Sequence, residues 1–463
     1  MSVESTHLHL KNKIRFVTAT SLFDGHDASI HIMRRILQQE GAEVIHLGHN
    51  RSVNDIVGTA IQEDAHGIAV SSYQGGHVEY FTYMLDLLKE KGASHIKVFA
   101  GGGGVITPEE IELLQSRVVC KIFSPEDGQK MGLVGMIHYM LKECDQAQFE
   151  FITSIPEKLS PKNIKTISRM ITTIEEESNG KAQKAKEMLL KSIDKKLSSQ
   201  RKKTFVLGFT GTGGAGKSSL VDEILLRFLE VFPQKTVAIL SVDPTRRKTG
   251  GALLGDRIRM NSASNERVFM RSMATRRANL ATSAYVKESI HALQVAHFDL
   301  IILETAGIGQ SDSEVTDLAD ISIYVMTPEY GAPTQLEKID MLDYADIVVI
   351  NKFDKSGALD ALREVRKVYQ RNRKLFDLTP DQMPVFGTCA HRFNDLGTNT
   401  FFNRIFALLQ EKDGDLNWAH TKIAEGEPNI ATLIPFNRTR YLSQIANTVN
   451  NYRLKSYQDA DSA

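Results

Sequence analysis

The segment Gly211-Thr-Gly-Gly-Ala-Gly216-Lys217-Ser218 fits G-x-x-x-x-G-K-[ST] at every position and follows an apolar run, Phe205 to Phe209. That run reads as a strand, and Ser219 to Phe232 reads as the helix behind the loop. Strand, glycine turn and helix in this order commit the region to a parallel α/β sheet. The loop works only if backbone N–H groups close round phosphate oxygens at the positive end of a helix. Gly211, Gly213, Gly214, Ala215 and Gly216 form the cradle, and Ser219 counts among the phosphate contacts. Lys217 brings charge to the outer phosphates, and the Ser218 hydroxyl suits Mg²⁺. A nucleoside triphosphate is the implied ligand.

Asn351-Lys352-Phe353-Asp354 has the form N-K-x-D, follows the apolar run Ile347 to Ile350, and lies about 135 residues beyond the loop. A carboxylate at Asp354 can accept from N1–H and the exocyclic amine of guanine, whereas adenine offers no such donor pair. Asn351 braces the loop, Lys352 lies along the base, and Cys389 and Ala390 stand where a backbone N–H meets the guanine carbonyl. GTP is therefore the expected nucleotide. Three acids compete for Mg²⁺ beside the loop: Asp243 after the run Val237 to Val242, Asp256 after Gly250, and Glu304 after Phe298 to Leu303. Asp before Pro244 also caps helices, and Glu304 could be a solvated strand end.

These residues resemble a family. Val-Asp243-Pro-Thr, Gly-Gly-Ala-Leu-Leu-Gly-Asp256-Arg-Ile-Arg-Met and Glu304-Thr-Ala-Gly-Ile-Gly-Gln310-Ser-Asp312 resemble the G-protein chaperones of adenosylcobalamin-dependent acyl-CoA mutases, over about 200 residues. The resemblance implies GTP hydrolysis with Mg²⁺, with Lys217, Glu304 and Gln310 in catalytic roles. It also implies that the loops around Asp256 and Gln310 carry nucleotide state to a mutase partner. No arginine finger is identifiable, although Arg246, Arg247 and Arg257 lie near the candidate switches.

The first 145 residues alternate strand-like runs (14–18, 43–47, 67–71, 96–100 and 118–122) with helical patterns such as 28–39 and 78–91. That alternation suggests a flavodoxin-like sheet of order 2-1-3-4-5. Three unusual loops, Asp24-Gly-His26-Asp27, Ser71 to His77 and Gly101 to Gly104, follow strands one, three and four. In that order they converge on one crevice. The constellation resembles the cobalamin-binding domain with D-x-H…S-x-L…G-G. By resemblance, His26 is the lower ligand of cobalt in base-off adenosylcobalamin and Asp24 fixes its tautomer. Ser71, Gly101, Gly102 and Gly103 accommodate the displaced nucleotide tail. Ser29 stands where the family has the glycine of D-x-H-x-x-G, and Tyr73 where it has the leucine of S-x-L. His77 and His49 are left as surface or supporting residues. A receiver or flavin domain would have no use for the glycine loop, whereas a corrinoid carrier for methyl transfer coupled to a GTPase is the rival reading.

Lys and Arg (56) balance Asp and Glu (56), so nothing argues for nucleic acid or an anionic membrane. Cys120, Cys144 and Cys389 lack metal spacing, and no stretch approaches the ~20 apolar residues of a span, so a cytoplasmic protein is expected. The expected organisation is α/β: a flavodoxin-like cobalamin-binding domain (1–148), a helical linker (149–202) whose lysines read as a solvated helix face, a P-loop GTPase domain (203–413), and a C-terminal linker (414–463) with a frayed end from Ser456. End to end the chain resembles the fused isobutyryl-CoA mutases up to their large mutase barrel. The resemblance implies a barrel domain or subunit as partner for isobutyryl-CoA and n-butyryl-CoA, no isomerisation without it, and leaves a homodimer open.

Overall fold

The computed structural model describes residues 10–117, 119–146, 150–176, 180–200, 203–243, 245, 251–275, 285–305, 307, 312–337, 339–414, 418, 422–426, 428 and 441–462. In the first domain, strands β1 (Arg15–Thr20), β2 (Glu43–His46), β3 (Gly67–Ser71), β4 (Lys97–Gly101) and β5 (Lys121–Phe123) alternate with helices. These are α1 (Ala28–Gln39), α2 (Val53–Gln62), α3 (His77–Glu90), α4 (Pro108–Ser116) and α5 (Pro125–Asp145). All pairings are parallel and the order is β5-β4-β3-β1-β2, as the alternation of runs predicts. Apolar residues of the central strands are buried on both faces: Val17 meets the layer of α2 and α3, and Phe16 that of α1 and α5.

Helices α6 (Ile164–Glu175) and α7 (Lys181–Ser199) follow. They bear out the two expected helical stretches, but the pair also packs an apolar face into a core. Ile167, Met170, Ile171 and Ile174 of α6, with Leu189 and Ile193 of α7, are buried in the same core as the strands behind them. The lysines form a solvated face, as expected, with Lys181, Lys184, Lys191 and Lys195 exposed, and the opposite face is apolar.

The second domain contains β6 (Phe205–Gly211), α8 (Lys217–Val231), β7 (Val237–Asp243), β8 (Ala252–Leu254), β9 (Val268–Ala274), α9 (Val286–Val295), β10 (Leu300–Glu304) and β11 (Ile321–Met326). It continues through α10 (Pro333–Leu336), α11 (Met341–Tyr344), β12 (Ile347–Asn351), α12 (Ala358–Asn372), β13 (Val385–Thr388) and α13 (Leu396–Asp413). Its parallel sheet has the order β13-β12-β11-β6-β10-β7-β9. From β6 the chain goes to β7 and β9 on one side, returns to β10, and then passes to β11, β12 and β13 on the other, so the glycine loop sits where the order reverses and a crevice opens.

Strand β8 is absent from that sheet. It leaves the second domain and joins the first, pairing parallel with β2 through Glu43–Ala252, Val44–Leu253 and Ile45–Leu254. The tail is also not frayed as expected: Tyr441–Ser462 forms one helix, α14, exposed along its described side chains. Among the described residues no helix is long and apolar enough to cross a membrane.

Candidate functional site

The loops after β1, β3 and β4 meet because those strands are neighbours. Asp24 is fully buried, while 70% of the His26 side chain is exposed. Asp24 Oδ1 accepts from the backbone N–H of His26 (2.8 Å) and lies 2.9 Å from its Nδ1, and Oδ2 accepts from the backbone N–H of Tyr73 (2.6 Å). Burial works to raise the Asp24 carboxyl, but these bonds prevail and hold it below its usual range. A carboxylate at Nδ1 keeps the proton there and leaves the lone pair on Nε2, at the open end of the ring.

Beside the imidazole a cavity of about 300 Å³ opens between α1 and α5 over the ends of β3 and β4. Ile30, Met33, Phe99, Phe123, Met136 and Met140 give it apolar walls, and among the described residues no charged side chain lines it. Ser71, Gly101, Gly102 and Gly103 line it too, so the sequence-predicted residues do come together. Gly102 is obligatory, since a Cβ there would stand 1.9 Å from the Ser72 carbonyl oxygen and drive the two loops apart. A free imidazole nitrogen beside a deep, uncharged slot fits a corrinoid with a neutral aromatic tail. Sequence reading missed the α5 wall, whose weak helical periodicity gives no sign of what it covers. His77 is buried rather than at the surface, with Nδ1 against the Gln74 carbonyl oxygen (3.1 Å).

At the second site α8 begins at Lys217, whose Nζ donates to the carbonyl oxygens of Gly211 (3.0 Å) and Thr212 (3.3 Å). Ser218 Oγ lies 2.8 Å from Glu304 Oε1 and 3.2 Å from Asp256 Oδ1. Asp256 Oδ2 accepts from Ser241 Oγ (2.5 Å), and Asp243 Oδ2 from the Gly255 N–H (3.1 Å). Burial first, and then the charge of Asp256, push both Asp243 and Glu304 up to about 8. Glu304 Oε2 is buried without a hydrogen-bond partner. One hydroxyl, clustered carboxylates and an orphaned oxygen fit a hard divalent cation. Among the described residues no group of three or more His, Cys, Asp and Glu side chains could hold a metal ion by itself.

Asn351 ends β12 and braces two loops: Nδ2 donates to the Ala215 carbonyl (2.8 Å), and Oδ1 accepts from Thr388 Oγ1 and the Ala390 N–H (both 3.1 Å). Lys352, at φ +57°, reaches the Gly214 carbonyl with Nζ (2.8 Å). Asp354 stands at the rim, 3.8 Å from Cys389 Sγ and 3.6 Å from His391 Nε2. The amides of Cys389 and Ala390 are not idle donors for a guanine carbonyl. Cys389 N–H donates to Asp395 Oδ2 (3.0 Å) and Ala390 N–H to Asn351, so both stiffen the loop. Gln310, Arg246 and Arg247 lie outside the described residues. Arg257 is no candidate finger: it is buried, with Nη1 3.2 Å from Glu63 Oε1 and Nη2 bonded to Gln62.

One stretch links the second site to the first sheet. Asp243 ends β7, β8 lies on the first sheet, Asp256 returns to Ser218, and Arg257 reaches back to the end of α2. Adjacent residues therefore face different domains. Nothing in the local pattern foretells this, because three residues carry too little periodicity to assign a strand to a distant sheet.

Residues 167–398 match the family described as Methylmalonyl Co-A mutase-associated GTPase MeaB, and residues 14–130 match a B12 binding domain. The chain is 53% identical over 454 residues to a fused isobutyryl-CoA mutase of Geobacillus kaustophilus (strain HTA426), covering 98% of this chain and 42% of that protein. A fused isobutyryl-CoA mutase of Cupriavidus metallidurans is 51% identical over 449 residues, covering 95% and 40%. The chain thus spans about two fifths of the length of these relatives. Among solved structures, a LAO/AO transport system kinase aligns at 20% identity and a TM-score of 0.40, over 64% of this chain and 82% of its own.

Proposed function

The chain belongs to the MeaB family of methylmalonyl-CoA mutase-associated GTPases and carries a B12-binding domain ahead of its GTPase, and from that premise we propose that GTP gates the loading or repair of adenosylcobalamin for an acyl-CoA mutase. His26 would hold the cofactor base-off through Nε2, with Asp24 keeping the tautomer that leaves that nitrogen free. Bound there, the cofactor supplies a cobalt centre able to generate the radical that a carbon-skeleton rearrangement requires. The cavity beneath Ser71 and the glycine loop would take the displaced tail.

In the second domain Lys217 and the amides from Gly211 to Ser219 would neutralise and orient the phosphates, while Asp354, Asn351 and Lys352 select guanine. Ser218 would bind Mg²⁺, helped by Glu304, Asp256 and Asp243 directly or through water. Gln310 is assigned to hydrolysis by resemblance alone. GTP and GDP differ only in what the γ-phosphate and Mg²⁺ touch, so any gating must start from Asp256, Asp243 or the loop at Gly307.

The observation that carries the gating is that Ala252–Leu254 extend the first sheet while Asp256, two residues on, meets Ser218. A shift of Asp256 toward Mg²⁺ would pull on β8, and through β2 on β1 and the His26 loop. The relatives named fused isobutyryl-CoA mutases motivate the partner: a mutase barrel, joined or separate, acting on isobutyryl-CoA and n-butyryl-CoA. The test is titration with adenosylcobalamin, followed by its absorption spectrum, for the wild type and His26→Ala. We expect the variant to lose at least tenfold in affinity and the spectral shift of axial nitrogen ligation, with GTP binding intact. An unchanged spectrum and affinity in the variant would sink the ligand assignment.

A further inference from the structure

The two places where the first domain departs from D-x-H-x-x-G…S-x-L, Ser29 and Tyr73, touch each other: Ser29 Oγ and Tyr73 OH lie 2.7 Å apart. Ser29 is in the first turn of α1 and Tyr73 lies two residues beyond β3, so the bond straps a helix to a loop at the mouth of the apolar cavity that both line. Tyr73 is held from other sides as well. Its backbone N–H donates to Asp24 Oδ2 (2.6 Å), its ring centroid is 5.7 Å from that of His26, and its Cε1 lies 3.1 Å from the place of a Cβ on Gly103. One side chain thus contacts the imidazole, the first turn of α1 and the glycine loop.

We propose that Tyr73, with Ser29, is a specificity element for the corrinoid tail: the strap keeps the cavity mouth in the shape that admits a nucleotide tail. The inference rests on the reading of this cleft as the cobalamin site and names what in it discriminates between corrinoids. Fixing α1 against the loop before binding removes an ordering cost that the ligand would otherwise meet. Only a corrinoid whose tail enters the cavity collects that gain. A tail-less corrinoid meets His26 from outside and is indifferent to the strap. Among the described residues the lining offers hydroxyls and no charge, so the element favours a neutral aromatic tail.

The test titrates cobalamin and tail-less cobinamide into the wild type, Tyr73→Phe, Ser29→Ala and the double variant. The visible spectrum reports binding, and GTP-analogue binding is run in parallel as the control for folding. One hydrogen bond is worth roughly two- to tenfold in affinity. Each single variant should lose about that factor for cobalamin, and the double variant should lose no more than either single, since both remove the same bond. Cobinamide affinity should stay within about twofold of wild type throughout. Equal losses for both corrinoids, no loss for cobalamin, or multiplicative losses in the double variant would overturn the proposal while leaving the cobalamin site standing. A wild type that binds neither corrinoid would overturn the site and the strap together.

Discussion

Single side chains explain which parts of the site were legible. The phosphate loop, N-K-x-D and D-x-H could be read because each uses residue types at fixed spacing on one loop. What could not be read was partner choice across the fold, as for Ser29 with Tyr73, 44 residues apart. The acids at the second site carry a testable consequence. Asp243 and Glu304 have folded-state pKa values raised to about 8, so in the nucleotide-free chain they keep protons that the unfolded chain has already released. Stability should therefore fall as pH rises from the ordinary carboxylate range through about 8, the reverse of a salt-bridged acid. Calorimetry in a chelator should show that decline, and Mg²⁺ with GDP should flatten it. Glu304→Gln removes one of the buried charges without changing shape. It should melt about 3 °C or more above wild type at pH 8 in the chelator, yet bind Mg²⁺-nucleotide at least tenfold more weakly. A variant no more stable than wild type at pH 8 would refute the assigned titration.

At the scale of elements, the order of the five strands in the first sheet followed from the alternation of strand-like and helical runs. The sixth strand did not. Its position depends on Gly251, where a Cβ would stand 2.1 Å from the Gln38 carbonyl oxygen and 2.9 Å from that of Ala42. No sequence rule links a glycine in the second domain to the end of α1. The linker's apolar face was missed for a related reason: its lysine count hid a stripe of Ile, Met and Leu that packs on the second sheet. Gly251→Ala gives the element-scale prediction. The added methyl should lift β8 from β2 at a cost of about 1–3 kcal/mol, leaving the phosphate loop and His26 in place. Each ligand should then bind alone with near wild-type affinity, while the ratio of cobalamin affinities measured with a GTP analogue and with GDP moves to one. If that ratio in the variant equals the wild-type ratio, β8 is not the route of coupling.

Across the whole molecule, charge and burial meet at the seam between the two sheets. Arg15 of β1 contacts Glu43 (2.6 Å), Glu63 (3.3 Å) and Glu175 (3.3 Å), Arg257 contacts Glu63 (3.2 Å), and Arg271 contacts Glu175 (2.5 Å). All six are buried, and three positive charges balance three negative ones across β1, β2, the end of α2, α6, the segment after β8 and β9. Such a cluster adds little stability compared with an apolar seam, but removing one member leaves a buried charge uncompensated, at a cost of about 3–5 kcal/mol. We infer that its value lies in specifying one relative placement of the two domains. Glu63 is the informative member, because its carboxylate also accepts from the Ser272 N–H and hydroxyl. Glu63→Gln should convert a single calorimetric unfolding transition into two, the first domain melting ahead of the second, and bound cobalamin should then raise only the first transition. Replacing the Glu63–Arg257 pair by Leu and Met should restore much of the stability, since an apolar pair leaves no orphaned charge. Nucleotide-dependent cobalamin affinity should not return with it if charge fixes the placement that β8 needs. One cooperative transition in Glu63→Gln, shifted by less than about 2 °C, would mean that the strands and not the ions hold the domains in register.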